Sequence, residues 1–457
     1  MKTAHKKKQT SMWWVIMIVI LTVYLLSFII PSGQFQRDGR YAIPGSYQEM
    51  EKVYLNPFEA LGAVPSQAYA TFGKLFIAIL IFGGMMGVVN STKTLDIALT
   101  NLILKLKDKA LWIIPIFIFV MGFIGALGSM ISTAILFIPL GLAVAKKLKT
   151  DRVFGVALII IGSYTGFMSS PVCMFTTVLG QEIAGLEPFS GMFFRTVVTI
   201  INLAVVSVGL MLYAKRTQKN PSKYLDSFGE GDDSEEAFEI SVEKLTRKQI
   251  AVLILFAGAF VLFALGGPVF KLNLLQLSSI MLPAGIVIGF ISGYDLDKTM
   301  NKFVDGAKDM MPVLIFMILS CSMLATLNNS MIIDSIVYFI SIPLNALGHT
   351  AAAIGMFIAN SIINVFINSG SGQTAIMMPI MAPLSDVTNV TRQMALLSLQ
   401  YGDGFTNLLA PTSVNLLACL ALAKASFKEW YKLIVPIYSV LFVVMCVSIV
   451  IGSKMGF

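Results

Sequence analysis

The sequence predicts an all-α polytopic membrane protein built from two inverted repeats, each with a re-entrant hairpin and a broken transmembrane helix. Three observations predict it. The chain of 457 residues is 56% hydrophobic and only 13% charged, and its apolar residues fall in separate runs long enough to cross a bilayer. Two polar, glycine-rich stretches, Gly125 to Ala134 and Asn368 to Ala375, interrupt hydrophobic segments about half a chain apart. Each leads into an apolar run ending at a proline (Pro139, Pro379), then a second Gly/Ser/Thr-rich interruption closing on another proline (Pro171, Pro411), with the same interval in both halves. Polar backbone at membrane depth is tolerated only where protein buries it or where it lines a site.

Along the chain, the run from Met12 to Ile30 follows Lys6, Lys7 and Lys8 but lacks a small-residue cleavage site before Pro31. It reads as a retained helix rather than a signal peptide. Residues 31 to 72 form a polar extracytoplasmic loop with no readable role. Further spans lie near 73 to 90, 153 to 178, 194 to 214, 249 to 266, 276 to 293, 311 to 327, 394 to 419 and 433 to 451. Segments 111–145 and 351–385 each accommodate two arms of roughly 25 Å, which reads as re-entrant hairpins. Residues 93 to 109 and 296 to 309 pattern as amphipathic interfacial helices. The first repeat is therefore 1–214, with hairpin 111–145 and broken helix 153–178. A charged cytoplasmic linker, 215–248, carries the acidic residues Asp232, Asp233, Glu235 and Glu236. An extra helix and loop, 249–275, inverts the second repeat, 276–457, with hairpin 351–385 and broken helix 394–419. Placing the N-terminus inside puts most Lys and Arg on the cytoplasmic side, including Lys105, Lys107, Lys109, Lys146, Lys147, Lys149 and Arg152. That distribution accounts for the net charge of +8 without nucleic acid.

Several chemistries are excluded. Cys173, Cys321, Cys419 and Cys446 sit in apolar segments without metal-site or disulfide spacing. The only histidines, His5 and His349, lie away from the polar stretches, so a histidine relay or histidine metal centre is ruled out. No nucleophile-base pair or phosphate-binding loop is evident, which argues against an enzyme and against ATP drive.

At a hairpin tip two half-helices end near the membrane midplane, and their unpaired N–H groups can hold an anion. Ser129, Ser132 and Thr133 at the first tip, and Asn368, Ser369, Ser371, Gln373 and Thr374 at the second, are candidate substrate ligands. Gly128, Gly370 and Gly372 allow tight turns and close approach of ligand. The second pair of breaks adds Asn407, Thr412 and Ser413 to the substrate set. Gly128, Gly370, Ser169, Asp403 and Thr406 are candidates for a coupling ion, with sodium as the candidate ion and no other metal or cofactor. Pro171 and Pro411 free backbone carbonyls at the breaks. Asp403 is the clearest acid within a predicted span, where a charge costs about 2.5 to 3.5 kcal/mol. Asn360 and Asn364 read as interhelical hydrogen bonders, and Tyr164 and Tyr401 are open between packing and ligand roles.

These residues resemble the C4-dicarboxylate anaerobic carrier (DcuC-type) family, especially its YfcC-like branch, within the ion transporter superfamily. The motifs are Pro31-Ser-Gly, Pro44-Gly-Ser-Tyr, Asn368-Ser-Gly-Ser-Gly-Gln and Gly402-Asp-Gly-Phe-Thr-Asn with Pro411-Thr. The resemblance implies a multi-pass carrier of the bacterial cytoplasmic membrane, homodimeric and in contact with membrane lipid, whose hairpin domain moves like an elevator against a scaffold. It also implies a small-molecule substrate, either a C4-dicarboxylate or an amino acid, with arginine/ornithine exchange among the family activities. One departure bears on substrate: Met130, Ile131 and Ser132 stand where many YfcC-like proteins have an acidic pair. The expectation is a sodium- or proton-coupled symporter or exchanger of a carboxylate-bearing metabolite. A basic amino acid antiporter and a passive channel are the alternatives.

Overall fold

The computed structural model describes residues 12–39, 41–56, 58, 64–95, 97–98, 101, 111–128, 134, 137–219, 245–270, 274–411 and 413–457. The protein is mostly helical, and its helices follow the apolar runs of the sequence. In the first half they are α1 (Met12–Ile29), α2 (Val64–Ser91), α3 (Ile113–Ala126), α4 (Ile138–Lys147), α5 (Arg152–Met168), α6 (Leu179–Ile183) and α7 (Met192–Gln218). A π-helical turn, Met174–Val178, leads into α6. The second half contains α8 (Arg247–Phe270), α9 (Leu274–Ile291), α10 (Leu296–Lys308), α11 (Met311–Asn329), α12 (Ile333–Asn345), α13 (His349–Asn364), α14 (Gly370–Val387), α15 (Arg392–Asn407), α16 (Val414–Leu422) and α17 (Phe427–Met455). Among the described residues three helical runs are long and apolar enough to cross a membrane: Met192–Gln218, Leu296–Asn329 and Phe427–Met455.

Caps and glycines explain where the elements start and how closely they pack. Asp151 caps α5 by accepting from the Phe154 amide at 3.0 Å, and the Tyr213 hydroxyl holds that carboxylate at 2.6 Å. Helix α5 is buried along its length, so its neighbours must approach its backbone. A Cβ on Gly125 would strike the Ser163 carbonyl, one on Gly166 the Gly122 carbonyl, and one on Gly141 the Gly155 carbonyl. Amphipathic α10 is capped by Asp295 and buries Thr299, Phe303 and Gly306, with Gly306 set against Gly87 of α2. This is the amphipathic helix expected at 296 to 309. Of its expected counterpart at 93 to 109, the described pieces at 94–95, 97–98 and 101 are helical. Most of the linker 215–248 lies outside the described residues.

The buried apolar residues divide into separate cores. The largest joins α3, α4, α5, α7, α13, α14, α15 and α17. A second joins α2, α8, α9, α10 and α11 with the π-helical turn, and a third packs α1 against α11, α12 and α14.

Three features differ from expectation. Residues 328 to 350, assigned no element, contain α12, whose short run is interrupted by Pro343. The expected loop 31 to 72 is shorter, because 64 to 72 already belong to α2, and its described part holds two antiparallel ribbons that pair Gly33–Gln34 with Gln48–Glu49 and Arg37–Asp38 with Tyr41–Ala42. Those ribbons also have a role, because Arg37 pairs with buried Asp334 at 2.7 Å and the Ala42 amide donates to Asp386 at 3.0 Å. Finally, Gly370 and Gly372 lie in the first turn of α14, and Gly370 has no positive φ. Gly370 is required by close approach rather than by a turn.

Candidate functional site

Breaks in three helical segments meet at one buried junction. Helix α5 ends at Met168 before the π-helical turn, α13 ends at Asn364 before α14, and α15 ends at Asn407 before α16. Pro171 and Pro411 sit in the first and third of these gaps, where a missing N–H cannot be filled by a continuing helix. Gly370 marks the junction: a Cβ there would lie 2.6 Å from Phe167, 2.7 Å from Asp403 Oδ2 and 3.0 Å from Thr176.

Asparagine amides build the polar network. Asn368 and Asn364 donate to Asn407 Oδ1 at 2.6 and 3.0 Å, Asn364 also donates to the Asp403 carbonyl at 3.0 Å, and Asn407 donates to Asp403 Oδ1 at 2.9 Å. Gln373 donates to the Asn360 carbonyl at 2.8 Å and to Asn360 Oδ1 at 3.3 Å, while Asn360 donates to Met356. Each amide nitrogen faces an acceptor, and the orientations are assigned from that network. The oxygens are left over. Asn364 Oδ1, Gln373 Oε1 and Asp403 Oδ2 are buried without a partner among the described residues. Each unsatisfied polar group costs about 1 to 3 kcal/mol, and a carboxylate more, so the junction gains by taking up a cation or a donor.

Beside these oxygens begins α14. Ser369 caps it, accepting from the Gly372 amide at 3.3 Å, and its carbonyl receives the Gln373 amide at 2.7 Å. The first turn of a helix presents N–H groups and a positive dipole end to an anion. An electron-rich cluster and a positive helix end therefore adjoin one another through Gly370. Such a pair complements a ligand carrying both signs of charge.

In the first half, Gly128 has φ +73°, and a Cβ there would lie 2.6 Å from Cys173 Sγ. It needs glycine for both turn and space. Ser170 ties this segment to the first break: its hydroxyl donates to the Ala126 carbonyl at 2.6 Å and accepts the Cys173 amide at 2.9 Å.

Of the residues expected in a site, Asn368, Ser369, Gly370, Gln373, Asp403 and Asn407 are brought together. Thr374 is buried beside them, its hydroxyl donating to the Gly370 carbonyl at 2.7 Å, and Ser371 is half-buried in the same turn. Thr406 is buried in α15, with its carbonyl taken by the Leu409 and Ala410 amides, and Ser413 Oγ is buried without a described partner. Ser169 is turned elsewhere: its hydroxyl donates to Thr165 and accepts from Thr199 at 3.0 Å, and Thr199 also bonds its carbonyl. Ser129, Ser132, Thr133 and Thr412 lie outside the described residues. Tyr401 is packed, hydrogen-bonded to Ser448 at 2.7 Å, and Tyr164 accepts from Asn415.

Sequence reasoning undervalued Asn364 and missed a second network. Gln400 donates to Thr176 at 3.0 Å and Thr177 at 2.8 Å on the π-helical turn, and accepts from fully buried Arg195. A cation buried at the start of an apolar span was the available signal.

Discontinuous helices converging on a buried polar junction define a membrane transporter. The family model for C4-dicarboxylate anaerobic carriers (DcuC) matches residues 9–454, and the chain belongs to that family. It is a transporter and not an enzyme. An Escherichia coli (strain K12) protein, "Putative basic amino acid antiporter YfcC", is 28% identical over 414 residues, covering 88% of this chain and 81% of that one. A Haemophilus influenzae protein is 25% identical over 419 residues, covering 90% and 81%. Among solved structures, the Alcanivorax borkumensis YdaH transporter aligns with TM-score 0.71 at 16% identity, covering 98% of both chains. Neisseria gonorrhoeae MtrF, from a class of antimetabolite efflux pumps, aligns with TM-score 0.65 at 15% identity, covering 98% of this chain and 96% of its own.

Proposed function

We propose that the protein is a multi-pass secondary active transporter of the bacterial cytoplasmic membrane that carries a small carboxylate-bearing metabolite, with an amino acid preferred over a C4-dicarboxylate. The observation that carries this reading is the juxtaposition of three partnerless buried oxygens with the N-terminus of α14. An α-carboxylate meets the amides of Gly370 and Ser371, assisted by Ser369, Thr374 and Asn368. A cation, either sodium or the substrate's ammonium, meets Asp403, Asn364 and Gln373. Hard oxygen ligands of this kind suit sodium as a coupling ion. A second carboxylate would want another cationic partner; buried Arg195 donates to the neutral Gln400 and to the Gln393 carbonyl, and its Nε has no partner among the described residues.

The matching breaks in the two halves support the reading of two inverted repeats at 1–214 and 276–457, separated by a cytoplasmic linker and extra helix. Segments 111–145 and 351–385 are its re-entrant hairpins. The division into cores supports an elevator, with the break-bearing helices moving against α2 and α8 to α11 across the face where the π-helical turn and Ala375 meet them. The resemblance implies a homodimer, and the distribution of Lys and Arg favours an N-terminus inside.

A second reading, arginine/ornithine exchange, is favoured by the name of the E. coli relative and by the same oxygens, which could receive a guanidinium. Proteoliposome uptake separates them. Concentrative uptake under a sodium or proton gradient supports coupled transport. Arginine–ornithine exchange that needs no ion gradient supports the antiporter, and no accumulation of any tested solute opposes both.

A further inference from the structure

Away from the junction, helices α7 and α17 enclose a groove of about 890 Å³ whose chemistry the transport reading does not use. The helices run antiparallel. At one end Phe194 of α7 stacks against Phe457 with ring centroids 4.3 Å apart, and midway a Cβ on Gly209 would lie 3.0 Å from Ile437. Continuing about two turns along α7 from Gly209 reaches Arg216, level with the first turns of α17 and Lys432. Both cations line the groove, and both side chains are exposed. Most of the rest of the lining is apolar, with Val208 56%, Leu212 62% and Val440 56% exposed and Leu433 and Ile437 buried at its floor, on two helices long enough to cross a membrane; Tyr213 and Thr217 add polar groups near the basic end. Nearby acids are engaged in capping: Asp151 holds the Phe154 amide and Tyr213, and Glu429 holds Ser426.

An apolar channel between transmembrane helices that closes on two cations matches one occupant. We propose that the groove binds an anionic glycerophospholipid of the cytoplasmic leaflet, its phosphate between Arg216 and Lys432 and an acyl chain along Val208, Leu212, Pro436 and Val440. The side follows from the topology that puts residues 215–248 in the cytoplasm, the face where anionic lipid attracts basic residues. The substrate reading plays no part in it.

Native mass spectrometry of the full-length protein in mild detergent, titrated with phosphatidylglycerol or phosphatidylcholine of the same chains, tests the assignment. Wild type should retain phosphatidylglycerol preferentially, and Arg216→Ala/Lys432→Ala should weaken that retention by about thirtyfold while weakening phosphatidylcholine, whose ammonium offsets the same phosphate, much less. Val440→Trp, at an exposed position that does not threaten folding, should reduce both lipids by filling the channel. Equal retention of the two lipids by wild type, or an undiminished preference in the double variant, would overturn the proposal. So would a Val440→Trp protein that turns from dimer to monomer with lipid retention intact, since the groove would then seat a second copy of the chain. Displacement of the lipid by soluble glycerol phosphate at comparable concentration would also overturn it, pointing to a free-anion site.

Discussion

Asp403 is the residue on which the transport account turns. Its Oδ1 accepts from Asn407 and its Oδ2 has no described partner, although the residue is fully buried. Asp403→Asn keeps an oxygen for Asn407 and removes a costly charge, so thermal stability should hold or rise while uptake falls at least about tenfold. Uptake and melting temperature measured on the same preparation check this, and loss of both together would indicate a structural role. Gly370→Ala should likewise cut uptake, because its new methyl has to displace Asp403, Phe167 or Thr176. Serine at Ser169 is expected to matter less: Ser169→Ala removes a tie to Thr199 and should leave uptake within about twofold. At this scale the sequence was legible where a charged or glycine residue stood out against apolar surroundings, as with Asp403 and Gly128. Asn364 was not, since an asparagine in a membrane helix is usually a packing residue, and only its pairing with Asn407 and the Asp403 carbonyl reveals its place.

Between elements, the outer ribbons act as a strap. Arg392 makes paired bonds to Asp386 at 2.9 and 2.6 Å, reaches the Ala184 carbonyl and lies over the Tyr41 ring, while Asp386 also receives the Ala42 amide. Both charged side chains are buried, so Arg392→Ala should destabilise the protein by about 3 to 5 kcal/mol by stranding Asp386. A thermal or denaturant melt in detergent checks this, and a change below about 1 kcal/mol would mean the pair is solvated. The broken helices were legible because glycine, serine and proline interrupt long apolar runs at matching places. Helix α12 and the ribbons were not, since their order depends on partners far along the chain, such as Arg37 with Asp334. Residues 328 to 350 read only as an outward-facing stretch without Lys or Arg, because the apolar run within it, Ile333–Asn345, is too short to span a bilayer and carries Pro343.

For the whole molecule, the separation of cores is the feature that bears on mechanism. Helix α14 packs with α11 in the third core while contributing Gly370, Gln373 and Thr374 to the junction, next to Asn368 in the preceding break. If the junction-bearing helices move as a body, fixing α14 to α11 should stop transport. In a cysteine-free background, Met323→Cys and Ile376→Cys joined by a short thiol crosslinker should lose uptake and recover it when a cleavable link is reduced. Full uptake in the crosslinked protein would rule out that motion. Fold class was open to sequence reading because hydropathy and the repeated breaks are properties of the chain itself. The division into cores was not, since it depends on which apolar faces meet.

The central claim is that the junction around Asp403 couples a cation to a carboxylate-bearing substrate. Its most direct test is uptake of labelled neutral and acidic amino acids, arginine, ornithine and succinate into proteoliposomes under imposed sodium or proton gradients, for wild type and Asp403→Asn. The account predicts ion-driven accumulation of an amino acid by wild type and its loss in a stably folded Asp403→Asn protein. Accumulation that persists undiminished in the variant, or uptake that never exceeds equilibration, would contradict it.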